Sequence, residues 1–200
     1  MNIFICGQRS FGAAVLKELH RRGHAILGVA PPPHEDDAIT RAARELCVPI
    51  IGDCVKLTPA QISEDTELIV AAHSHWHISE AIMQRAAHGC IGFHPSLLPR
   101  HRGQDAVRWA VAMGDAITGG TVYWLGDKVD GGDILLQTPV FIGRAWDYHR
   151  LWREMFSLGV DMLCRAVDMV AGGTAPRIPQ DEEFATWEPA YEKRLLPRNG

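Results

Sequence analysis

The sequence predicts an α/β fold with a mostly parallel central sheet and flanking helices, and three observations carry that expectation. Four short, continuous apolar runs, residues 2–6, 25–30, 68–72 and 90–93, read as strands buried on both faces. Segments with helical apolar spacing stand between them, at residues 13–22, 37–46 and 79–87. A strand–helix–strand order of this kind implies parallel strands joined by right-handed crossovers.

Each element follows from local pattern. Gly7 to Gly12 is a glycine-bounded turn after the first strand. The helix at residues 13–22 aligns Val15, Leu16 and Leu19 on one face and stops at Gly23. Pro31, Pro32 and Pro33 end the second strand, and residues 48–51 form a further short strand after the second helix. Ser79 is a good N-cap for the third helix. The strand at residues 90–93 runs directly into His94 and Pro95. The texture then changes. Residues 106–113 are helical, and residues 119–125 and 134–141 are strand-like and flank a polar loop, 126–133. Residues 147–171 form a long amphipathic helix that ends at Gly172 and Gly173, and residues 174–200 read as an extended C-terminal tail. The expectation is a Rossmann-like first half joined to a mixed second half, residues 1–200 forming a single domain.

Composition narrows the function. The chain has 200 residues, 46% of them hydrophobic and 22% charged, which excludes a collagen, a disordered chain and a disulfide miniprotein. A formal net charge of -4 leaves no broad basic field, so no nucleic-acid partner is expected. The five cysteines (Cys6, Cys47, Cys54, Cys90, Cys164) are odd in number, scattered and without a CxxC pair. Reduced thiols in a cytoplasmic setting fit them better than disulfides or zinc. The N-terminal run is a strand and not a signal peptide, and no apolar stretch reaches the length of a membrane span. The sequence carries no signal for an oligomeric state.

Four motifs are candidates for chemistry. Gly7, Gln8, Arg9, Ser10, Phe11 and Gly12 lie between a strand and a helix, where a turn binds phosphate through backbone N–H groups. The segment is neither a Walker loop nor GxGxxG, and no acidic residue ends the second strand, so a nicotinamide is disfavoured. It is read either as a tight turn needing glycines or as an anion site helped by Arg9. His73, His75 and His77 alternate as metal ligands on a strand would, but Trp76 interrupts them and no fourth ligand has a suitable spacing. No metal is expected, and a polar loop lining a pocket is the preferred reading. His94 stands at the carboxyl end of a buried strand, the edge where open α/β sheets bind ligands, and Pro95 and Pro99 stiffen the loop behind it. Asp127, Lys128, Val129, Asp130, Gly131, Gly132 and Asp133 form an acidic glycine loop, too short for an EF-hand. Its glycines permit close backbone approach to a flat ligand.

His94-Pro95-Ser96-Leu97-Leu98-Pro99, followed by Val129-Asp130-Gly131-Gly132-Asp133, resembles the folate-dependent formyltransferase family. That family includes glycinamide ribonucleotide formyltransferase, methionyl-tRNA formyltransferase and the N-terminal hydrolase domain of 10-formyltetrahydrofolate dehydrogenase, to which the likeness is nearest. His94 and Asp130 stand 36 residues apart (130 − 94), as the family's catalytic pair does. The resemblance covers nearly the whole chain, without the C-terminal β-barrel-like domain of larger members. It implies the Rossmann-like formyltransferase fold, with His94 and Asp130 catalytic. It places His75, Trp76, His77 and Ile78 in the folate-pocket loop, and Gly126, Asp127, Lys128, Val129, Gly131 and Gly132 in the loop around the pteridine. The implied formyl donor is 10-formyltetrahydrofolate, with no metal. One residue departs from the pattern: the transferases usually carry Asn two residues before the His, and this chain has Gly92. The hydrolase domain also lacks that Asn.

The chemistry fits these residue types. Formyl transfer from N10 of the folate to an amine passes through a tetrahedral oxyanion, which needs a positioned donor. His94 supplies one, and Asp130 orients it and helps relay a proton through water. Gly7, Gln8, Arg9, Ser10, Ser96 and Arg100 are the candidate contacts to a small-molecule acceptor. Arg9, Arg100 and Arg102 suit a phosphate or carboxylate, and equally suit plain surface roles. Ser96 and Gln104 are candidates to replace the missing amide. The main expectation is transfer to an amine of a small molecule. The alternatives are transfer to water, which is hydrolysis, and a non-catalytic folate- or nucleotide-binding protein.

Overall fold

Continuous apolar runs suit strands that lie beside parallel neighbours under a cover of helices, and the first half of the chain supplies both element types. The computed structural model describes residues 1–33, 36–52 and 56–192. The chain divides into two compact units, Met1–Phe93 with Leu163–Ala175, and His94–Met162 with Pro176–Gly200.

In the first unit, strands β1 (Asn2–Gly7), β2 (Ala25–Ala30), β3 (Leu68–Ala72) and β4 (Cys90–His94) lie in the order β2-β1-β3-β4. All these pairings are parallel, with Ile5 opposite Val29 and Val70, and Val70 opposite Ile91. Ile3, Ile5, Ile69, Val70 and Ile91 are fully buried. Helices α1 (Arg9–Arg21) and α2 (Ala38–Glu45) flank the strands, and Val15, Leu16 and Leu19 of α1 are buried as their spacing predicts. Helix α3 is a single turn, Glu80–Met83.

Three expected boundaries move, each for a physical reason. Helix α1 begins at Arg9 and takes in Gly12. A Cβ on Gly7 would lie 2.8 Å from the Ala72 carbonyl oxygen, and one on Gly12 3.1 Å from Ile39 Cδ1. These glycines therefore serve close approach of the chain; the left-handed position is Arg9, at φ 55°. The strand expected at residues 48–51 shrinks to one bridge, Ile50 with Val29, because Pro49 has no N–H to extend the ladder. The helix expected over residues 79–87 stops at Met83. The N–H groups of Ala87 and His88 donate instead to the carbonyls of Thr66 and Glu67, ahead of β3.

In the second unit, helix α4 (Ala106–Met113) precedes an antiparallel pair, β5 (Ile117–Trp124) and β6 (Ile134–Phe141). Helix α5 (Tyr148–Ala171) starts in this unit and ends in the other. Of the expected C-terminal tail, residues 176–192 are extended apart from one short turn, and residues 193–200 lie outside the described residues. Ile178 bridges Ile134, Trp187 bridges Arg102, and Glu182–Phe184 forms one 3-10 turn. No described helix is long and apolar enough to cross a membrane.

Cys6 and Cys90 are buried free thiols and Cys47 an exposed one, and Cys164 is buried. Cys54 lies outside the described residues. Burial pushes the Cys6 thiol up to about 12. Burial first, and Cys6 second, hold Cys90 well above the ordinary thiol value of 9.0. Below 9.0 both thiols are neutral whether the chain is folded or unfolded; above it, the unfolded chain releases protons that the folded chain retains. Stability should therefore fall as pH rises from 9.0 toward 12. Melting curves across that range should show the loss, and Cys6→Ala should flatten it; an unchanged slope would remove this cause.

Candidate active site

His94 closes β4 and is buried, and its ring is held from one side. Its Nε2 lies 2.6 Å from the carbonyl oxygen of His101. A carbonyl only accepts, so Nε2 carries the hydrogen. Nδ1 then faces Asp130, 3.5 Å from Oδ2, an approach longer than an ordinary hydrogen bond. The anchoring residue is itself fixed. His101 lies between Asp115, 2.8 Å from Nε2, and Glu188, 3.1 Å from Nδ1, and its N–H donates to the Thr186 hydroxyl. The Glu188 contact is close but not aligned as a hydrogen bond.

Asp130 sits in the left-handed region at φ 50°, which a short polar side chain tolerates better than a branched one. Its Oδ1 accepts from the Tyr123 hydroxyl at 2.7 Å, and its Oδ2 accepts from the Gly103 N–H at 2.7 Å. Gly103, at φ 90°, holds a conformation suited to glycine, and that conformation aims its N–H at the carboxylate. Gln180 donates from Nε2 to the carbonyls of Asp130 and Gly132, at 2.8 and 2.7 Å.

Strand β5 braces the loop after His94. The Thr121 hydroxyl donates to the Ser96 carbonyl at 2.7 Å and accepts from the Leu98 N–H at 3.1 Å. Gln137, opposite Thr121 on β6, donates to Thr121 Oγ1 and to the Leu98 carbonyl. A Cβ on Gly119 would lie 2.6 Å from Leu97 Cδ2, so glycine makes room for the leucine.

Several expected contacts take on other duties. The buried Ser96 hydroxyl donates to the Arg100 carbonyl at 2.6 Å and closes its own loop. Arg102 is no acceptor ligand: it is 1% exposed and binds Gln180 and Glu182. Arg100 keeps an exposed side chain, 3.8 Å from Asp115. In the first unit, the Arg9 N–H, an expected anion donor, is taken by Asp37 Oδ1 at 2.6 Å; the same oxygen caps α2 through the Ile39 N–H. Gln8 donates its N–H to the Ala72 carbonyl, and Ser10 is exposed. The Trp76 indole N–H donates to the Pro31 carbonyl, His75 packs edge-on against that ring, His77 is exposed and Ile78 is buried. Partial burial first, then the Arg9 guanidinium, lowers the pKa of His73. Among the described residues no group of three or more His, Cys, Asp or Glu side chains is placed to hold a metal ion.

The sequence assigns no role at the site to Thr121, Tyr123, Gly103 or Gln180. Thr121 and Tyr123 leave a faint signal, two polar-capable residues at alternate positions of a strand that is otherwise buried. Gly103 and Gln180 end two runs, residues 94–103 and 175–180, that share the style of the hydrolase domain, but Gln180 lies 50 residues from Asp130 and no local pattern pairs them.

The 126–132 loop gives a clean contrast between two glycines. A Cβ on Gly132 would lie 1.7 Å from the Trp124 carbonyl oxygen, whereas one on Gly126 meets nothing within 4 Å. Gly132→Ala should destabilise by about 1–3 kcal/mol or more and displace the loop. Gly126→Ala should stay within about 1 kcal/mol of the parent. Chemical denaturation of both variants checks the difference; equal effects would contradict the close approach.

The chain is similar to known proteins in sequence and in fold. The profile of the formyl transferase family matches residues 56–167, more than half of the chain. The mitochondrial 10-formyltetrahydrofolate dehydrogenase of Homo sapiens is 35% identical over 206 residues, 96% of this chain and 22% of that protein. The methionyl-tRNA formyltransferase of Syntrophus aciditrophicus is 30% identical over 208 residues, 96% of this chain and 66% of that protein. The crystal structure of glycinamide ribonucleotide transformylase 1 from Symbiobacterium toebii shares the fold with a TM-score of 0.77 at 20% identity, covering 90% of this chain and 93% of that one. The chain thus spans less than a quarter of the length of the dehydrogenases it matches. The matched segment contains β4 with His94 and the loop with Asp130, and on that match the chain belongs to the formyl transferase family.

Proposed function

We propose that this chain binds 10-formyltetrahydrofolate and passes the formyl group to an amine of a small-molecule acceptor, with His94 and Asp130 as the catalytic pair. The observation that carries the reading is the 3.5 Å approach of Asp130 Oδ2 to Nδ1 of a histidine whose other nitrogen is anchored. The residues fit such a formyl donor. Gly126 leaves open space beside the backbone, and Asp127, Lys128 and Val129 are exposed next to it.

The chemistry needs a charge donor and a proton path. The amine nitrogen adds to the formyl carbon and the carbonyl oxygen takes up negative charge. The bond from N10 to that carbon then breaks, with its electron pair going to N10. The amine loses one proton and N10 gains one. His94 works through Nδ1, because Nε2 is committed to the His101 carbonyl. A proton on Nδ1 stabilises the developing oxyanion, and the Asp130 carboxylate stabilises the positive ring. The same pair moves the proton between amine and N10, through water where reach requires it. Arg100, with its exposed guanidinium, is a candidate contact to an acidic acceptor.

Gly92 favours a second reading, transfer to water. Strand alternation puts Gly92 and His94 on one face of β4, and glycine brings no amide there. Loss of one oxyanion donor costs roughly 10²–10³-fold in rate in other enzymes that stabilise a tetrahedral oxyanion.

Incubation with 10-formyltetrahydrofolate, following tetrahydrofolate and formate with and without a panel of amines, tests the reading. Tetrahydrofolate release is expected, and its absence under all conditions would refute it. His94→Ala and Asp130→Asn should each lower turnover by roughly 10²–10⁴-fold. Gly92→Asn should raise the ratio of formylated amine to formate; an unchanged ratio in a folded variant would mean that this position does not set the outcome.

A further inference from the structure

We infer that Gln180 is a positioning residue for Asp130, acting from the C-terminal segment through the backbone of the loop. The inference rests on the assignment of Asp130 to the catalytic pair. The Asp130 carboxylate is placed by Tyr123 and Gly103, but those contacts do not hold its main chain, which stays in the left-handed region at φ 50°. Gln180 does hold it. Its one side-chain NH₂ donates to the carbonyls of both Asp130 and Gly132, and so clips the two ends of the turn around Gly131.

The amide has one orientation. Its Oε1 accepts from Arg102 Nε at 3.2 Å and Nη2 at 2.8 Å, so the nitrogen faces the loop. Arg102 is in turn fixed by burial and by Glu182, whose carboxyl it holds below the usual range. A chain of fixed groups thus runs from Glu182 through Arg102 and Gln180 to Asp130. Every donor and acceptor of the Gln180 amide is used within it.

Gln180→Glu separates the two halves of this device. The new carboxylate still accepts from Arg102, but an oxygen replaces the donor and faces two carbonyls. Turnover in the release of tetrahydrofolate should fall about 10- to 100-fold in the folded variant, as for misplacement of a catalytic group. The decisive readout is coupling. In an Asp130→Asn background, Gln180→Glu should add less than about a twofold loss, because residues that act as one unit are not additive. Gln180→Met, which removes both halves, should show the same coupling with lower stability. Full activity in Gln180→Glu, the same fold-loss with and without Asp130, or failure of both Gln180 variants to fold would each overturn the inference. Should Asp130→Asn itself match the parent, the catalytic assignment falls and this inference with it, a pattern distinct from the other three.

Discussion

One face of β5 organises the second unit. Gly119, Thr121 and Tyr123 alternate along the strand: the first admits Leu97, the second bonds Ser96 and Leu98, and the third bonds the Asp130 carboxylate. Side chains in a strand repeat every two residues, so a slip of one position would turn all three contacts away at once. The register that prevents this is set by β6, with Thr121 opposite Gln137. The pairing then shifts between Val122 and Tyr123, where β6 carries an extra residue, Leu135. A bulge of this kind bends the strand that carries it, here β6 just after the 126–133 loop.

Several polar side chains of this unit are buried, among them His94, Ser96, His101, Arg102 and Thr121, and burial penalises a polar group that lacks a partner. Arg102, among the largest fully buried side chains, illustrates the constraint. Its Nη1 and Nη2 donate to Glu182, and its Nε and Nη2 donate to Gln180. Breaking one partner of a buried charge is strongly unfavourable, which makes such groups good fixed points for neighbouring loops. His101 has the same character. It is nearly inaccessible, sits between Asp115 and Glu188, and offers its carbonyl to His94. The C-terminal segment supplies Thr186 and Glu188 to His101, and Gln180 and Glu182 to Arg102. That segment is therefore part of the site's framework.

The first unit uses a different economy of contact. Gly7 and Gly12 let α1 approach the end of β3 and the side chain of Ile39. Asp37 serves two amides with one oxygen, that of Arg9 and that of Ile39, and so ties the start of α1 to the start of α2. Arg9 and His73 follow the carboxyl ends of β1 and β3, and both hold positive φ. Left-handed conformations in non-glycine residues persist where the surroundings enforce them, and the carboxyl edge of a parallel sheet is where such residues gather.

The apolar runs of β1 to β4, the amphipathic face of α1, the position of His94 at a strand end and the glycine loop around Asp130 were legible in sequence, because each is a pattern within a few adjacent residues. Two elements were misread, residues 48–51 and 79–87, because Pro49 stopped a ladder and because carbonyls near β3 drew Ala87 and His88 out of a helix. The partners of the site were not legible. Tyr123, Gly103 and Gln180 reach Asp130 across 7, 27 and 50 residues of chain. By sequence Arg102 suits an acidic ligand or a surface role equally, and its burial against Gln180 and Glu182 gives it neither. Local composition dictates which segments become strands and helices, and which residue types are available for chemistry. Which of those residues meet, which charge is buried and which backbone is held in a left-handed turn depend on contacts between distant residues, and no local pattern encodes them.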